Sequence, residues 1–424
     1  MIKNFLIALV CLSSLGIFAQ NGTISPYSNF GVGDIRNKGT IDNRAMGGLQ
    51  MYGDSIHINL RNPAAFSKLR LTAYTAGISH SELRLQDNFE RQRTSVTNLD
   101  YLAVAFPITP KAGIGFGIQP LTSVGYDLVS ETPNAAQDTV RNVFTGRGGL
   151  NKVFLSVGYE PIKNIAFGAT ANFNFGTLQY NRSETTQGVQ LGTLDNRESR
   201  INGFDFNFSG TYTPTIKEKY TLLTYLGADT QINLVSKNTR SIGSFSQTQG
   251  QIEVFDVDLA AEGLQNTELK IPTRYTLGLG WGEETKWFIG GEYAFQQLSS
   301  FENAFLAQEN VSYADATTMA LGGYYITNFA ALSGIFNRVT YRAGLRYEET
   351  GLVVSGREIN NFGITFGFGV PIVGTGTDRF SNLNLGFELG RRGTRADGLL
   401  EESYMNISIG LSLNDRWFIK RKIN

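Results

Sequence analysis

The amino-acid sequence predicts an all-β protein, a transmembrane antiparallel β-barrel of about fourteen strands. Three observations support this fold class. Many segments after residue 70 carry an apolar residue at every second position, and the connections between them alternate between short and long. The composition agrees, because the chain has 48 glycines and only 17% charged residues, whereas soluble proteins average about 25% charged residues.

The alternation has the period of a strand whose two faces meet different surroundings. It is clearest in the segments 165–175, 204–209, 362–369, 382–390 and 404–413. In the first of these, Phe167 and Phe173 share one face, and Asn172 lies on the other. A soluble β-sandwich would show the same pattern, so the alternation alone leaves both folds open.

Loop lengths favour the barrel over the sandwich. The segments start near Leu71, Leu99, Ala112, Asn151, Asn164, Asn202, Tyr220, Thr273, Lys286, Thr317, Val339, Asn361, Asn382 and Ser403. The long polar connections are expected at 83–97, 129–149, 181–200, 235–272, 299–316, 349–360 and 391–402, and most of the connections between them are tight turns. Short turns at one end and long loops at the other are typical of an outer-membrane barrel. Closure also leaves no unpaired strand edge in hydrocarbon.

The N-terminus predicts export. Lys3 is followed by an apolar stretch and then by Ala19, which is the order of a secretory signal peptide at residues 1–19, cleaved near Ala19. The expected location is the outer membrane of a Gram-negative-type bacterium. Cys11 is the only cysteine, and it lacks the small residues expected before a lipidated cysteine. The mature chain therefore has no thiol for a disulfide or a zinc site.

The predicted organisation continues with residues 20–70 before the first strand, the barrel at 71–414 and a short basic periplasmic tail at 415–424. Beyond the signal peptide, no run approaches the roughly 18 to 20 apolar residues of a membrane-spanning helix. Trp281, Trp287 and Trp417 are expected at the short-turn end, as an aromatic girdle at the membrane surface. The alternative is that the three tryptophans belong to a soluble core.

Residues 20–70 lack the alternation but contain Ala45-Met46-Gly47-Gly48, Asp54 and then Asn62-Pro63-Ala64. This segment resembles the N-terminal hatch of the FadL family of outer-membrane transport barrels. The opening Ser25-Pro26-Tyr27-Ser28 and the closing residues 415–422 look like those of Bacteroidetes members of the superfamily, some of which belong to the type IX secretion machinery. The resemblance implies a hatch inside the lumen, with Asn62, Pro63 and Ala64 as its motif, and passive transport of small hydrophobic molecules.

Two departures from the family pattern are visible. Ala65 stands where the family motif usually continues with glycine, and a basic tail follows Phe418 where such barrels usually end on an aromatic residue of the last strand. A fold hosts many functions, so these departures affect the transfer of a ligand more than the transfer of the fold.

The sequence does not predict an enzyme. Only two histidines occur, His57 and His80, and Ser79-His80-Ser81 lacks the Gly-x-Ser-x-Gly elbow that a hydrolase of that type needs. No cofactor and no metal site are expected. The basic residues are scattered, so the electrostatic footprint of a nucleic-acid-binding protein is missing.

Five charged residues are expected to face the lumen, because an arginine on the lipid face at mid-membrane depth would cost roughly 2 to 4 kcal/mol. They are Asp205, Glu292, Arg342, Arg346 and Glu388. One interpretation is charge pairing across the lumen to the hatch. The other is a path for a substrate or an ion.

Pro120 follows Ile114, Phe116 and Ile118 in the third predicted strand. FadL-like transporters have a kink in this strand that opens the wall sideways, so Pro120 resembles the site of a lateral opening. The alternative is that the membrane-spanning part ends near Gln119. Since a tilted strand needs roughly 9 to 11 residues to span the bilayer, the strand is expected to continue through Pro120 with a bulge or broken pairing.

Two functions remain open on the sequence. The first is a passive channel for small hydrophobic ligands, surrounded by outer-membrane lipids. The second is a non-transporting barrel, a partner or plug in a type IX secretion assembly, whose long loop at 235–272 meets another protein. A channel should present an apolar pocket between loops and hatch, whereas an assembly partner should have a filled lumen and an exposed docking surface.

Overall fold

A computed structural model describes residues 22–36, 39–246, 248, 250–308, 310–331, 333–372 and 381–415. The predicted signal peptide, Trp417 and the tail beyond Asp415 lie outside the described residues. Among the helices of the described ranges, none has the length and apolar character needed to cross a membrane.

The chain forms a closed antiparallel barrel of fourteen strands, which confirms the predicted fold class. The strands are β1 (Thr72–Gln86), β2 (Arg91–Thr109), β3 (Ala112–Pro133), β4 (Thr139–Ile162), β5 (Ile165–Thr186), β6 (Leu191–Tyr212), β7 (Tyr220–Asp229 and Ile232–Ser246), β8 (Asn266–Ile271 and Arg274–Glu283), β9 (Trp287–Gln296), β10 (Val311–Tyr313 and Ala316–Ile326), β11 (Thr340–Val354), β12 (Arg357–Pro371), β13 (Asn382–Gly393) and β14 (Glu401–Asp415). The barrel closes where β14 pairs with β1, with Asp415 opposite Thr72.

Short elements complete the described chain. Two-residue strands lie at Asp34–Ile35 and Thr215–Ile216, and a seven-residue strand lies at Gly250–Asp256. One-turn α-helices span Ile41–Arg44 and Ile335–Arg338. Short 3-10 segments span Pro26–Asn29, Pro63–Lys68, Leu298–Ser300, Ala304–Leu306 and Ala396–Gly398.

The barrel wall has an apolar outer face and a polar or glycine-rich inner face. On β5, Phe167 is 57% exposed, whereas Asn172 and Asn174 are buried. The pattern is that of a wall whose outside meets an apolar phase and whose inside is packed. At the short-turn end, Trp281 stacks on Tyr220 with ring centroids 5.7 Å apart, and Trp287 lies 6.4 Å from the same ring.

Strand starts agree with the sequence prediction at the short-turn end, where β3, β7 and β13 begin at Ala112, Tyr220 and Asn382. At the other end the strands are longer than predicted. Most of the segments 83–97, 129–149 and 181–200, which were expected to be loops, are strands joined by tight turns. In these segments apolar residues no longer occupy every second position, so the backbone ladder continues without the alternation that identifies a strand in sequence.

The barrel is therefore uneven in height. Strands β3 to β6 have 22, 24, 22 and 22 residues, and β7 adds 15 residues above its first ten. On the opposite side, β9 has only 10 residues. We refer to β3–β7 as the tall wall, since it rises above the rest of the barrel on the long-loop side.

The described residues of the predicted hatch pack against the inward faces of the strands. The helix Ile41–Arg44 contacts β12, β13 and β14, while the turn Pro63–Lys68 contacts β2 to β6. Backbone lies against backbone: a β-carbon added at Gly344 would lie 2.1 Å from the nitrogen of Gly47. The lumen glycines are thus needed for this packing, because any larger residue would push the segment away from the wall.

We expect Phe366→Arg to block assembly or to lower stability by about 2 to 4 kcal/mol, because Phe366 faces outward from the middle of β12 and is 47% exposed. The matched control is Val129→Arg, which changes an equally exposed outward residue of the tall wall. The control should cost little, since Val129 lies above the apolar band. Heat-dependent migration of the folded barrel on gels measures both. Equal losses of stability in the two variants would contradict the placement of Phe366 inside the apolar band and of Val129 above it.

Candidate functional site

A cavity of about 230 Å³ lies inside the barrel between the hatch and the long-loop end. One part of its lining is apolar and consists of Phe30, Ile271, Leu298, Phe301 and Tyr313. Charged side chains make up much of the rest, among them Arg44, Arg61, Arg274, Glu292, Arg346, Arg392 and Glu402. The cavity is therefore of mixed character, and it favours a molecule that has both a hydrophobic part and a polar group.

Glu292 joins the barrel to the hatch and lies among the charged residues that line this cavity. Its carboxylate accepts hydrogen bonds from the backbone N–H groups of Gln50, at 2.8 Å, and of Met51, at 2.5 Å. The guanidinium groups of Arg61 and Arg274 lie close enough to stabilise the carboxylate electrostatically. Among the five predicted lumen charges, Glu292 is thus hydrogen-bonded to the hatch.

The other predicted lumen charges form bonds within the wall, and all four are buried. Arg346 donates to Glu388 at 2.6 Å, and Arg342 donates to Asn384 at 3.0 Å. Asp205 accepts hydrogen bonds from Asn172 at 2.8 Å and from Asn174 at 2.5 Å. Arg342 and Arg346 of β11 reach across β12 to their partners on β13, whereas Asp205 of β6 is bonded to the neighbouring strand β5. Most of the charge pairing therefore joins strands of the wall to one another.

The Asn-Pro-Ala motif fixes the end of the hatch to β6. Asn62 accepts a hydrogen bond from the Ser209 hydroxyl at 2.8 Å, and that hydroxyl accepts one from the Ala64 backbone N–H at 2.9 Å. Pro63 begins the 3-10 turn, where a residue without a backbone N–H is tolerated. The three residues of the motif are thus an anchor, and they are buried away from the cavity.

An ion pair between half-buried Asp54 and buried His57 closes a loop within the hatch. The Asp54 carboxylate accepts hydrogen bonds from the backbone N–H groups of Ile56 and His57 and contacts His57 Nδ1 at 2.7 Å. Burial acts to raise the pKa of Asp54, but His57 and these hydrogen bonds hold the pKa at about 2. Burial acts to lower the pKa of His57, and the adjacent Asp54 carboxylate raises it more. His57 is therefore a structural residue of the hatch.

The wall has a gap on the long-loop side of Pro120. Pairing between β2 and β3 ends at Leu102 opposite Ile118, although β3 continues to Pro133. On its other edge, β3 has a register shift against β4 between Pro120 and Thr122. Pro120 therefore lies where β3 separates from β2 and bulges, as a residue without a backbone donor permits.

The hatch fills the lower part of this gap. Its strand Asp34–Ile35 pairs with Ser123 and Thr122 of β3. The Arg36 backbone N–H then donates to the Leu121 carbonyl at 2.9 Å. This pairing replaces the missing ladder of β2, so the hatch itself is part of the wall at this point.

Asp100 ties the hatch to the edge of the gap, although no motif in the sequence singles it out. It occupies a bulge of β2, where the register shifts between Gly77 and Ile78 of β1. Its carboxylate binds Arg44 at 2.6 Å and the Ser79 hydroxyl at 2.8 Å, with Arg36 3.8 Å away. The only sequence signal was an interruption of the alternation at residue 100.

The gap and the cavity share their lining. Residues 32–36 line the cavity, together with Ser81, Leu83 and Val96 of β1 and β2. Ile35 is 52% exposed, although it sits in the hatch strand. One short segment therefore separates the cavity from the outer surface of the barrel at the gap.

The family of the chain follows from comparison with known proteins. A model of the BamG family matches residues 1–424, the whole chain. The chain belongs to the BamG family. No curated protein sequence matches this BamG-family chain.

Solved structures share its fold at low sequence identity. A FadL homologue of Pseudomonas aeruginosa is 11% identical with a TM-score of 0.56, covering 91% of this chain and 100% of the other. The toluene transporter TodX of P. putida is 15% identical with a TM-score of 0.58, covering 89% and 99%. The toluene transporter TbuX of Ralstonia pickettii is 12% identical with a TM-score of 0.54, covering 88% and 97%. At this identity the likeness concerns the fold.

We expect Glu388→Gln to destabilise the barrel by about 3 kcal/mol, because Arg346 would keep a buried charge without its partner. The double variant Glu388→Gln with Arg346→Met should recover most of the loss. Denaturant unfolding followed by tryptophan fluorescence measures both. The matched control is Asp397→Asn, which breaks the exposed pair with Arg357 and should cost less than about 1 kcal/mol. If the double variant were no more stable than Glu388→Gln alone, Arg346 and Glu388 would not be energetically coupled.

Proposed function

We propose that this barrel lies in the outer membrane and lets small hydrophobic molecules pass from the long-loop side, through the lumen cavity, out of the gap at Pro120. The observation that carries the proposal is the shared lining of cavity and gap at residues 32–36. A molecule that leaves sideways avoids the packed hatch. The wall opening would deliver it to an apolar phase, where its transfer free energy is favourable.

The chemistry of the cavity supports this route. The apolar residues of the lining accept the body of a hydrophobic molecule, and the arginines of the lining suit a polar or anionic end. The solved structures with the same fold include toluene transporters and a monoaromatic hydrocarbon channel. The exposed outer band, the tryptophans at the short-turn end and the predicted signal peptide support an outer-membrane location, with lipids around the wall.

A second candidate is a non-transporting partner or plug within an outer-membrane assembly, such as the type IX secretion machinery of Bacteroidetes that the sequence resemblance implies. Two observations favour it: the lumen is filled by the hatch around most of its circumference, and the tall wall exposes strands above the membrane level. The two candidates make opposite predictions about the gap, since only a transporter needs the hatch strand to leave it.

We expect a disulfide between Ile35→Cys and Thr122→Cys to reduce uptake of a hydrophobic probe, because these residues are paired across the hatch strand and β3. The rate of uptake is measured with phenylnaphthylamine as the probe and liposomes that contain the purified protein. Reduction of the disulfide should restore uptake, and each single cysteine variant is the control, since a chain cleaved near Ala19 carries no other cysteine. Equal uptake in the oxidised and reduced double variant would remove the lateral route and favour the second candidate.

We expect deletion of residues 27–60 to convert a nearly silent barrel into a large, steady conductor, because fourteen strands enclose a water-filled path unless something fills it. Planar bilayers measure the conductance of the wild-type and shortened proteins. Retention of the heat-dependent gel shift checks that the shortened barrel is folded. If both proteins conduct alike, residues 20–70 are not a hatch.

A further inference from the structure

The tall wall ends in a strand with one unpaired edge. The strand Gly250–Asp256 forms a hairpin with the top of β7, where Asp256 is opposite Ser241 and Gly250 is opposite Ser246. In the described part of the chain it pairs with no other strand. The next strands along the barrel are too short to cover it, because β9 ends at Gln296, level with Arg274. All seven residues are exposed.

The register determines which backbone groups of Gly250–Asp256 point away from β7, at the unpaired edge. We call these the outward groups. The Val257 N–H donates to the Arg240 carbonyl at 2.9 Å, so this pair is hydrogen-bonded. Hydrogen-bonded and non-hydrogen-bonded pairs alternate along an antiparallel ladder. Phe255 therefore directs its N–H and C=O toward β7, whereas Val254 and Asp256 direct theirs away from it. These outward groups are a template for one more strand.

The side chains indicate what such a strand would be like. Ile252, Val254 and Phe255 are 46%, 45% and 65% exposed, which is unusual for an edge that stays free. No lysine or arginine occurs between residues 241 and 269. Five acidic residues lie in that interval, namely Glu253, Asp256, Asp258, Glu262 and Glu268. The edge is thus apolar and acidic together.

We propose that Gly250–Asp256 binds an extended segment of another protein on the long-loop side, by adding that segment as a further strand. The segment alternates apolar residues with lysine or arginine. The outward N–H and C=O groups hold its backbone, and the acidic side chains select its charge. A second copy of this chain is disfavoured as the occupant, because two such edges would place Glu253 and Asp256 of one copy beside the same acids of the other. This docking edge is independent of the proposed transport route.

Two proline variants distinguish the contribution of the outward backbone groups to binding from that of the hairpin with β7. Val254→Pro removes an outward N–H and leaves the bonds to β7 in place, whereas Phe255→Pro removes an inward N–H and breaks the hairpin. Val254→Thr is the matched control, since it keeps the N–H and the β-branched shape. The heat-dependent gel shift checks that each full-length variant remains a folded barrel.

The probe is a fluorescent ten-residue peptide of alternating valine and lysine, and anisotropy measures its affinity for the full-length protein in detergent. We expect Val254→Thr to bind like wild type and Val254→Pro to bind about tenfold more weakly or worse. The same peptide with N-methylated alternate residues should not bind the wild-type protein, and a valine–glutamate peptide should bind much more weakly.

Strand addition would be overturned if the methylated peptide bound the wild-type protein as tightly as the unmethylated one. It would also be overturned if Val254→Pro and Val254→Thr bound the peptide with equal affinity. A dimer in light scattering that Val254→Pro abolishes would overturn the proposal in favour of a second copy.

Discussion

Close backbone contact between the hatch and the lumen glycines is the constraint on which the rest of the structure depends. A β-carbon at Gly322 would lie 2.2 Å from the Met46 carbonyl oxygen, and one at Gly168 would lie 2.2 Å from the Ala64 nitrogen. Glycine removes the side-chain layer that normally separates a wall from what it encloses. The hatch can therefore reach hydrogen-bonding groups on the strands, such as Thr365 for the Gly47 N–H at 2.8 Å.

This contact explains where the charges of the lumen lie. A carboxylate buried between packed segments needs a partner within reach, and Glu292 finds backbone N–H groups of the hatch while Asp100 finds two arginines. The cavity is enclosed by hatch residues of the segments 23–36 and 44–61 and by the wall. At the gap the hatch strand is itself part of the sheet, since Asp34–Ile35 lies in the plane of the wall.

The fold class and the short-turn strand ends could be predicted from the sequence, because the membrane imposes an alternation that is visible residue by residue, as in β5 and β13. The tops of the strands could not be predicted in the same way. In residues 139–150 and 191–200 the apolar residues do not fall at every second position, so the pairing of these segments depends on neighbouring strands and not on a local pattern.

The charged site was predictable only in part. The five lumen charges were expected to face inward because the alternation assigns each residue to a face, and the structure turns all five inward. Their partners depend on register between strands distant in sequence, as for Arg346 and Glu388. Asp100 and Arg36 act through a bulge and a hatch strand, neither of which has a periodic signal. Pro120 was identifiable because proline has a defined backbone requirement.

Three barrel strands, β7, β8 and β10, are each interrupted for two residues, at 230–231, 272–273 and 314–315. The interruptions lie at one level, since Asp229 is opposite Arg274, Arg274 is opposite Gln296, and Gln296 is opposite Ala316. They form a seam around this side of the barrel. Below the seam the ladder is continuous and encloses the lumen. Above it, the upper part of β7 pairs with β6 and with the upper part of β8, and the upper part of β10 pairs with β11. Relatives could therefore exchange or lengthen what stands above the seam while the barrel below keeps the same shear and circumference.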